Sequence, residues 1–174
     1  MKLLVIDVQK GITDNRLYNF EQFIENSTRI IKEARNNKVE VIYIQHDDGP
    51  ESGFTFGDED FEIAKEVEPL PGEKVFTKKV CSCFSNRELV EYLKDDSELM
   101  VIGLQTNFCI DASVKSAFER GYKVVIPEGT NSTFDNNYMS AETTYNYYNN
   151  MMWPGRFASC VTMDEAVGIL RNPI

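Results

Sequence analysis

Leu3 to Ile6 is an unbroken apolar run that stops at Asp7, which predicts a short buried strand with a charge at its end. Phe20, Phe23, Ile24, Ile30, Ile31 and Ala34 then recur at helical spacing, and Asn36-Asn37 closes the pattern. Val39–Ile44 and Lys74–Thr77 are further β-rich runs. Ser85-Asn86-Arg87-Glu88 has the form of a capping box, with Ser85 as the cap of a helix that turns Leu89, Tyr92 and Leu93 inward. Glu98–Leu104 predicts a strand, Cys109–Arg120 a helix closed by Gly121, and Tyr122–Ile126 another strand. Ser140–Met151 has a helical pattern despite its mediocre helix formers. Ala158–Thr162 is a last strand and Met163–Arg171 a closing helix.

Strands without polar interruption, alternating with helices, imply a parallel sheet covered on both faces. Right-handed crossovers make this a doubly wound α/β architecture. No repeat or linker divides the chain, so residues 1–174 are expected to form a single domain. In such sheets ligands bind beyond the carboxyl ends of the strands. Those ends carry Asp7, then His46 and Asp47, then Lys78 and Lys79, then Gln105 to Cys109, then Glu128. The acidic stretch from Phe54 to Pro71 shows no clear period and is long for a connection, which predicts a surface loop or a lid.

Composition narrows the possible partners. The formal net charge of −10 repels nucleic acid and anionic membrane. No apolar run reaches the roughly 20 residues that span a bilayer, and the N-terminal run is too short for a secretory signal. The expected location is the cytoplasm, where Cys81, Cys83, Cys109 and Cys160 stay reduced. His46 is the only histidine and Cys81 and Cys83 are one residue apart, a poor set for zinc. Neither Gly-x-Gly-x-x-Gly nor a phosphate-binding Gly-x-x-x-x-Gly-Lys-Ser/Thr loop is present, which argues against nucleotide chemistry.

Cys109 is the centre of the candidate chemistry. A thiol that opens a helix meets the positive end of the helix dipole and free N–H groups, and both favour the thiolate. From position alone it reads equally well as a buried core thiol. A lysine beside it lowers its pKa, and Asp7 is placed to take its proton. Taken singly, Asp7 reads as a turn residue and Lys78-Lys79 as a solvated pair. Together at strand ends they define a candidate thiol hydrolase.

The same residues carry a family resemblance. Leu3-Leu4-Val5-Ile6-Asp7-Val8-Gln9 resembles a strand ending in Asp-x-Gln. The run from Val75 to Phe84 is similar to a strand followed by Lys-x-x-x-Ser-x-Phe, a spacing that selects Lys78 over Lys79. Val101–Ile110 resembles Gly-x-x-Thr-x-x-Cys-Val, and Ala117–Val124 an Ala-x-x-x-Gly-Tyr turn into a strand. In this order, over nearly the whole chain, they resemble the isochorismatase-like cysteine hydrolases, which include nicotinamidases and N-carbamoylsarcosine amidohydrolase.

The resemblance implies a six-stranded parallel sheet and an Asp7, Lys78, Cys109 triad. It also implies a non-proline cis peptide before Gln105 and an oxyanion hole from the N–H groups of Gln105 and Cys109. The implied activity is hydrolysis of a small amide, ureido or related C–N substrate through a thioester, with no cofactor. The alternatives are a non-catalytic binding or scaffold protein of the same fold, or hydrolysis of a non-amide substrate. True isochorismatases lack the nucleophilic cysteine. Nicotinamidases carry metal-binding histidines, whereas here His46 stands alone, so no metal is expected. Gln9, His46 and Phe54 are candidates for contacting the substrate, with His46 either lining the rim or packing structurally. Cys81 and Cys83 are expected to pack. The stretch Tyr145, Tyr147, Tyr148, Met151, Met152 and Trp153 is either a core-facing helix or the interface of a homo-oligomer, the common state of family relatives.

Overall fold

The structure is a computed structural model and describes residues 1–172. Five strands follow the expected runs closely: β1 (Lys2–Ile6), β2 (Glu40–His46), β3 (Lys74–Lys78), β4 (Glu98–Leu104) and β5 (Lys123–Pro127). A two-residue strand that the sequence pattern does not announce, β6 (Asn131–Ser132), pairs with the end of β4. β7 (Ser159–Val161) forms one edge. The order β3-β2-β1-β4-β5-β7 is parallel throughout, so the expected six-stranded sheet is present, with β6 added beside it.

The helices are α1 (Phe20–Asn36), α2 (Arg87–Leu93), α3 (Asp111–Glu119), α4 (Ala141–Tyr147) and α5 (Met163–Arg171). Side chains on successive strand residues point to opposite faces. Leu3, Val5, Val41, Tyr43, Met100 and Ile102 pack with Phe23, Ile30 and Ile31 of α1 and Leu170 of α5. Leu4, Ile6, Ile42, Ile44, Leu99 and Val101 pack with Leu89 and Leu93 of α2 and Val114 and Ala117 of α3. Both faces are therefore covered, which is why the strands read as continuous apolar runs. The N-cap of α1, Asn19, makes no side-chain capping bond. Burial of Phe23, Ile30 and Ile31, at about 1.5–3 kcal/mol each, holds that helix instead.

Three local expectations are corrected. The cap of α2 is Asn86, whose side chain accepts from the N–H groups of Glu88 and Leu89; Ser85 ends the preceding 3₁₀ turn. Cys109 does not open an α-helix but lies inside a π-helical turn, Thr106–Ile110, that leads into α3. The acidic excursion is pinned rather than loose over much of its length. Phe61, Ala64 and Val67 are buried at a spacing of three, on or beside two 3₁₀ turns, and the Ala64 N–H donates to the Val8 carbonyl at 2.9 Å. Among the described residues no helix is long and apolar enough to cross a membrane.

Candidate active site

The chain runs outward from β1 to β3, then returns to lay β4 against the other side of β1. This switch point opens a crevice between the carboxyl ends of β1 and β4. The two backbones approach closely there. Ile6 pairs with Gly103, whose φ is +126°, and a Cβ on Gly103 would stand 2.0 Å from the Ile6 carbonyl oxygen. Only glycine fits.

Asp7 follows β1 in the left-handed region, with φ of +53°, a conformation that Asp tolerates better than most residues. Its N–H donates to the Ile44 carbonyl at 2.9 Å, and the residue is 1% exposed. Lys78, the last residue of β3, is 2% exposed and reaches across the end of β2. Its Nζ donates to Asp7 Oδ2 at 2.7 Å, to Cys109 Sγ at 3.3 Å and, on the remaining side, to His46 Nδ1 at 2.9 Å. Lys79 points outward and is exposed. Asp7 Oδ1 is buried and has no hydrogen-bond partner among the described residues. The peptide bond between Leu104 and Gln105 is cis.

Burial and charge act on these three groups in opposite directions. Burial pushes the Asp7 carboxyl above its ordinary range, with the Lys78 ammonium opposing it. Burial pulls Lys78 down, but the Asp7 and Cys109 charges outweigh this and hold it above its usual value. The Cys109 thiol is pushed well up, first by burial and then by the Asp7 carboxylate; Lys78 pulls it down, but not enough. Lys78 acts on the thiol in the expected direction, and the net rise comes from burial and Asp7.

A cavity of about 250 Å³ opens over these groups. Asp7, Cys109, Gln105 and His46 line it with polar groups, and Ile12, Phe54 and Phe108 give it apolar walls. Asp48 and Cys81 complete the lining. Of the candidate substrate contacts, His46 and Phe54 are on the wall. Gln9 is not: it is fully buried, its Nε2 donates to the carbonyls of His46 and Phe61, and its Oε1 accepts from the His46 N–H. That amide ties the ends of β1 and β2 to the excursion. Cys83 packs as expected, with its thiol pushed up to about 12 by burial, whereas Cys81 is exposed at the cavity.

Asp7, His46 and Cys109 place potential ligand atoms within 4.8 Å of one another. The Lys78 ammonium already bonds to one atom of each, so the donor set suits a resident cation of its own rather than an added dication. Sequence reasoning assigned no role to Asp48, Phe108 or Thr133. Thr133 is buried and its hydroxyl lies 3.1 Å from Gln105 Oε1 and 2.7 Å from Asn107 Oδ1, steadying the turn that carries Cys109. No local pattern marks it; only the pairing of β6 with β4 brings that segment to the site.

Comparison with known proteins gives a consistent result. The family model described as the isochorismatase domain matches residues 2–162. The isochorismatase family protein YddQ of Bacillus subtilis (strain 168) is 34% identical over 138 residues, covering 75% of this chain and 77% of that protein. Streptothricin hydrolase of Streptomyces noursei is 28% identical over 137 residues, 76% of this chain and 54% of the relative. Among solved structures, a putative hydrolase of the isochorismatase family from Chromobacterium violaceum superposes with a TM-score of 0.87 at 26% identity, covering 98% and 93% of the two chains.

Proposed function

The chain belongs to the isochorismatase family of hydrolases, and on that premise we propose that it cleaves a small amide, ureido or related C–N substrate with Cys109 as nucleophile, Asp7 as general base and acid, and Lys78 as the cation between them. The observation that carries this reading is the Lys78 ammonium, held 2.7 Å from Asp7 Oδ2 and 3.3 Å from Cys109 Sγ at the cavity floor. A relative with the printed activity of a streptothricin hydrolase supports hydrolysis as the reaction class.

Burial and the Asp7 carboxylate push the Cys109 thiol up, which favours attack coupled to deprotonation. As Cys109 Sγ bonds to the substrate carbonyl carbon, its proton passes to Asp7, whose Oδ1 has no competing partner. Charge builds on the carbonyl oxygen, where the backbone N–H groups of Gln105 and Cys109 receive it. Asp7 returns the proton to the leaving nitrogen, the C–N bond breaks and a thioester remains. Water then gives a proton to Asp7, attacks the thioester and releases the acid, and the thiol regains its proton. Lys78 offsets the negative charge that moves between Asp7 and sulfur. Phe54, Phe108 and Ile12 supply the apolar walls against which the substrate packs.

The test is a panel of small primary amides and ureido compounds with released ammonia or amine as the readout. Cys109→Ala is expected to lose turnover and keep its melting temperature. A Cys109→Ala protein that turns over at the wild-type rate overturns the reading.

A further inference from the structure

A buried ammonium has three N–H donors and no acceptor, and each donor needs a partner. Lys78 finds them in Asp7 Oδ2, Cys109 Sγ and His46 Nδ1. Because the ammonium can only donate, His46 Nδ1 must offer a lone pair, and the ring proton must sit on Nε2. Nε2 lies 2.9 Å from Asp48 Oδ1, a carboxylate oxygen that accepts from it. The ring is therefore held in one tautomer from both sides. Its backbone is clamped as well: Gln9 Oε1 accepts from the His46 N–H at 2.7 Å, and Gln9 Nε2 donates to its carbonyl at 3.0 Å.

We propose that His46 is a positioning residue for the reaction: as the third acceptor of the Lys78 ammonium, fixed in its Nε2–H tautomer by Asp48, it keeps one Lys78 N–H aimed at Cys109 Sγ. The proposal rests on the catalytic assignment above. Its physical basis is the inequality of the three acceptors. Sulfur is the weakest and the carboxylate the strongest. With two acceptors the ammonium tilts toward Asp7 and the sulfur loses its donor. With His46 in place, the third bond opposes that tilt and fixes the rotation of the head group. The groups that face His46 are Asp7, Lys78, Cys109 and Asp48, from the ends of β1, β3 and β4 and from its own segment. A doubly protonated ring would aim an N–H at the ammonium, so the arrangement requires the neutral imidazole.

The experiment compares three variants. In His46→Asn the side-chain oxygen stands close to where Nδ1 was and can accept from Lys78. In His46→Gln the oxygen falls near the Nε2 position, and in His46→Leu the bulk remains with no acceptor. Two quantities are read: kcat and KM on the best substrate of the amide panel, and the apparent pKa of Cys109 alkylation by iodoacetamide, resolved by site with mass spectrometry. Asn is expected to keep kcat and the alkylation pKa near wild type. Leu and Gln are expected to lose kcat by about 10- to 100-fold, the worth of one hydrogen bond to a charged group, with KM little changed. In both, the alkylation pKa of Cys109 rises. Equal behaviour of Asn and Leu, or an effect confined to KM, overturns the proposal. Gln keeps the test alive if Leu does not fold. Alkylation needs no substrate, so it reads the Lys78–Cys109 coupling even where the amide reading fails on the Cys109→Ala test.

Discussion

At Gly103 a side chain has nowhere to go, because the Ile6 carbonyl oxygen occupies the place of a Cβ and φ is +126°. Gly103→Ala is expected to destabilise the protein by roughly 2–5 kcal/mol, the sum of backbone strain and overpacking, in urea unfolding. A wild-type midpoint would show that β1 and β4 separate easily. The neighbouring charges make a prediction with a definite sign. The Asp7 carboxylate raises the Cys109 pKa and the Lys78 ammonium lowers it. Asp7→Asn should therefore move the alkylation pKa of Cys109 down, and Lys78→Met should move it up. In turnover the direction reverses for Asp7: without its base, kcat/KM falls about 10²- to 10⁴-fold. Since burial holds the Asp7 carboxyl above its ordinary value, the acid side of the wild-type profile should fall off above the usual carboxylate range. Asp7, Cys109 and the Lys78-Lys79 pair were legible as charges and a thiol at strand ends, and the family resemblance selected Lys78. The net direction of the thiol shift was not, because it depends on how deeply the fold buries Cys109 and how near it brings Asp7.

Among the elements, α2 shows how a local pattern can be right in kind and wrong by one residue. Ser85 and Glu88 have the capping-box spacing, yet Asn86 is the cap, and its Nδ2 also donates to the Thr77 carbonyl at 2.8 Å, next to Lys78 in β3. Two cap-forming residues stood side by side, and the tie to β3 decided between them. Asn86→Ala should lower stability by about 0.5–2 kcal/mol in thermal or urea unfolding. Exposed Ser85 should tolerate Ala within about 0.5 kcal/mol; equal losses would restore the box. The closing helix went the other way: Met163–Arg171 was legible to the residue, and the Thr162–Glu165 capping box fixes its start. The π-helical turn around Cys109 left no mark, since its residues fit a helical pattern of either pitch. The excursion did carry a signal in Phe61, Ala64 and Val67, but a period of three over so few residues is hard to tell from chance in an acidic loop.

At the scale of the whole molecule, the alternation of runs was enough for a doubly wound sheet, and the switch between β1 and β4 follows from the strand order. What alternation does not determine is the lining of the crevice, which comes from four separate stretches of chain. That lining has a consequence for substrate charge. Among the described residues none at the cavity is Lys or Arg, whereas Asp7 and Asp48 both are part of it. Lys78 lies beneath with all three N–H groups engaged. A substrate carboxylate would find no free cation there, inside a molecule whose net charge is −10. Neutral and cationic amides should therefore be preferred over matched carboxylate-bearing ones. Salt offers the check, because a Debye length falls from about 10 Å at 0.1 M to about 3 Å at 1 M. As salt rises, kcat/KM should increase for an anionic amide, decrease for a cationic one and hold steady for a neutral one. An anionic substrate whose kcat/KM falls with added salt would mean that a cation reaches the site from outside this lining, with Lys79 at the end of β3 the first to replace by Ala.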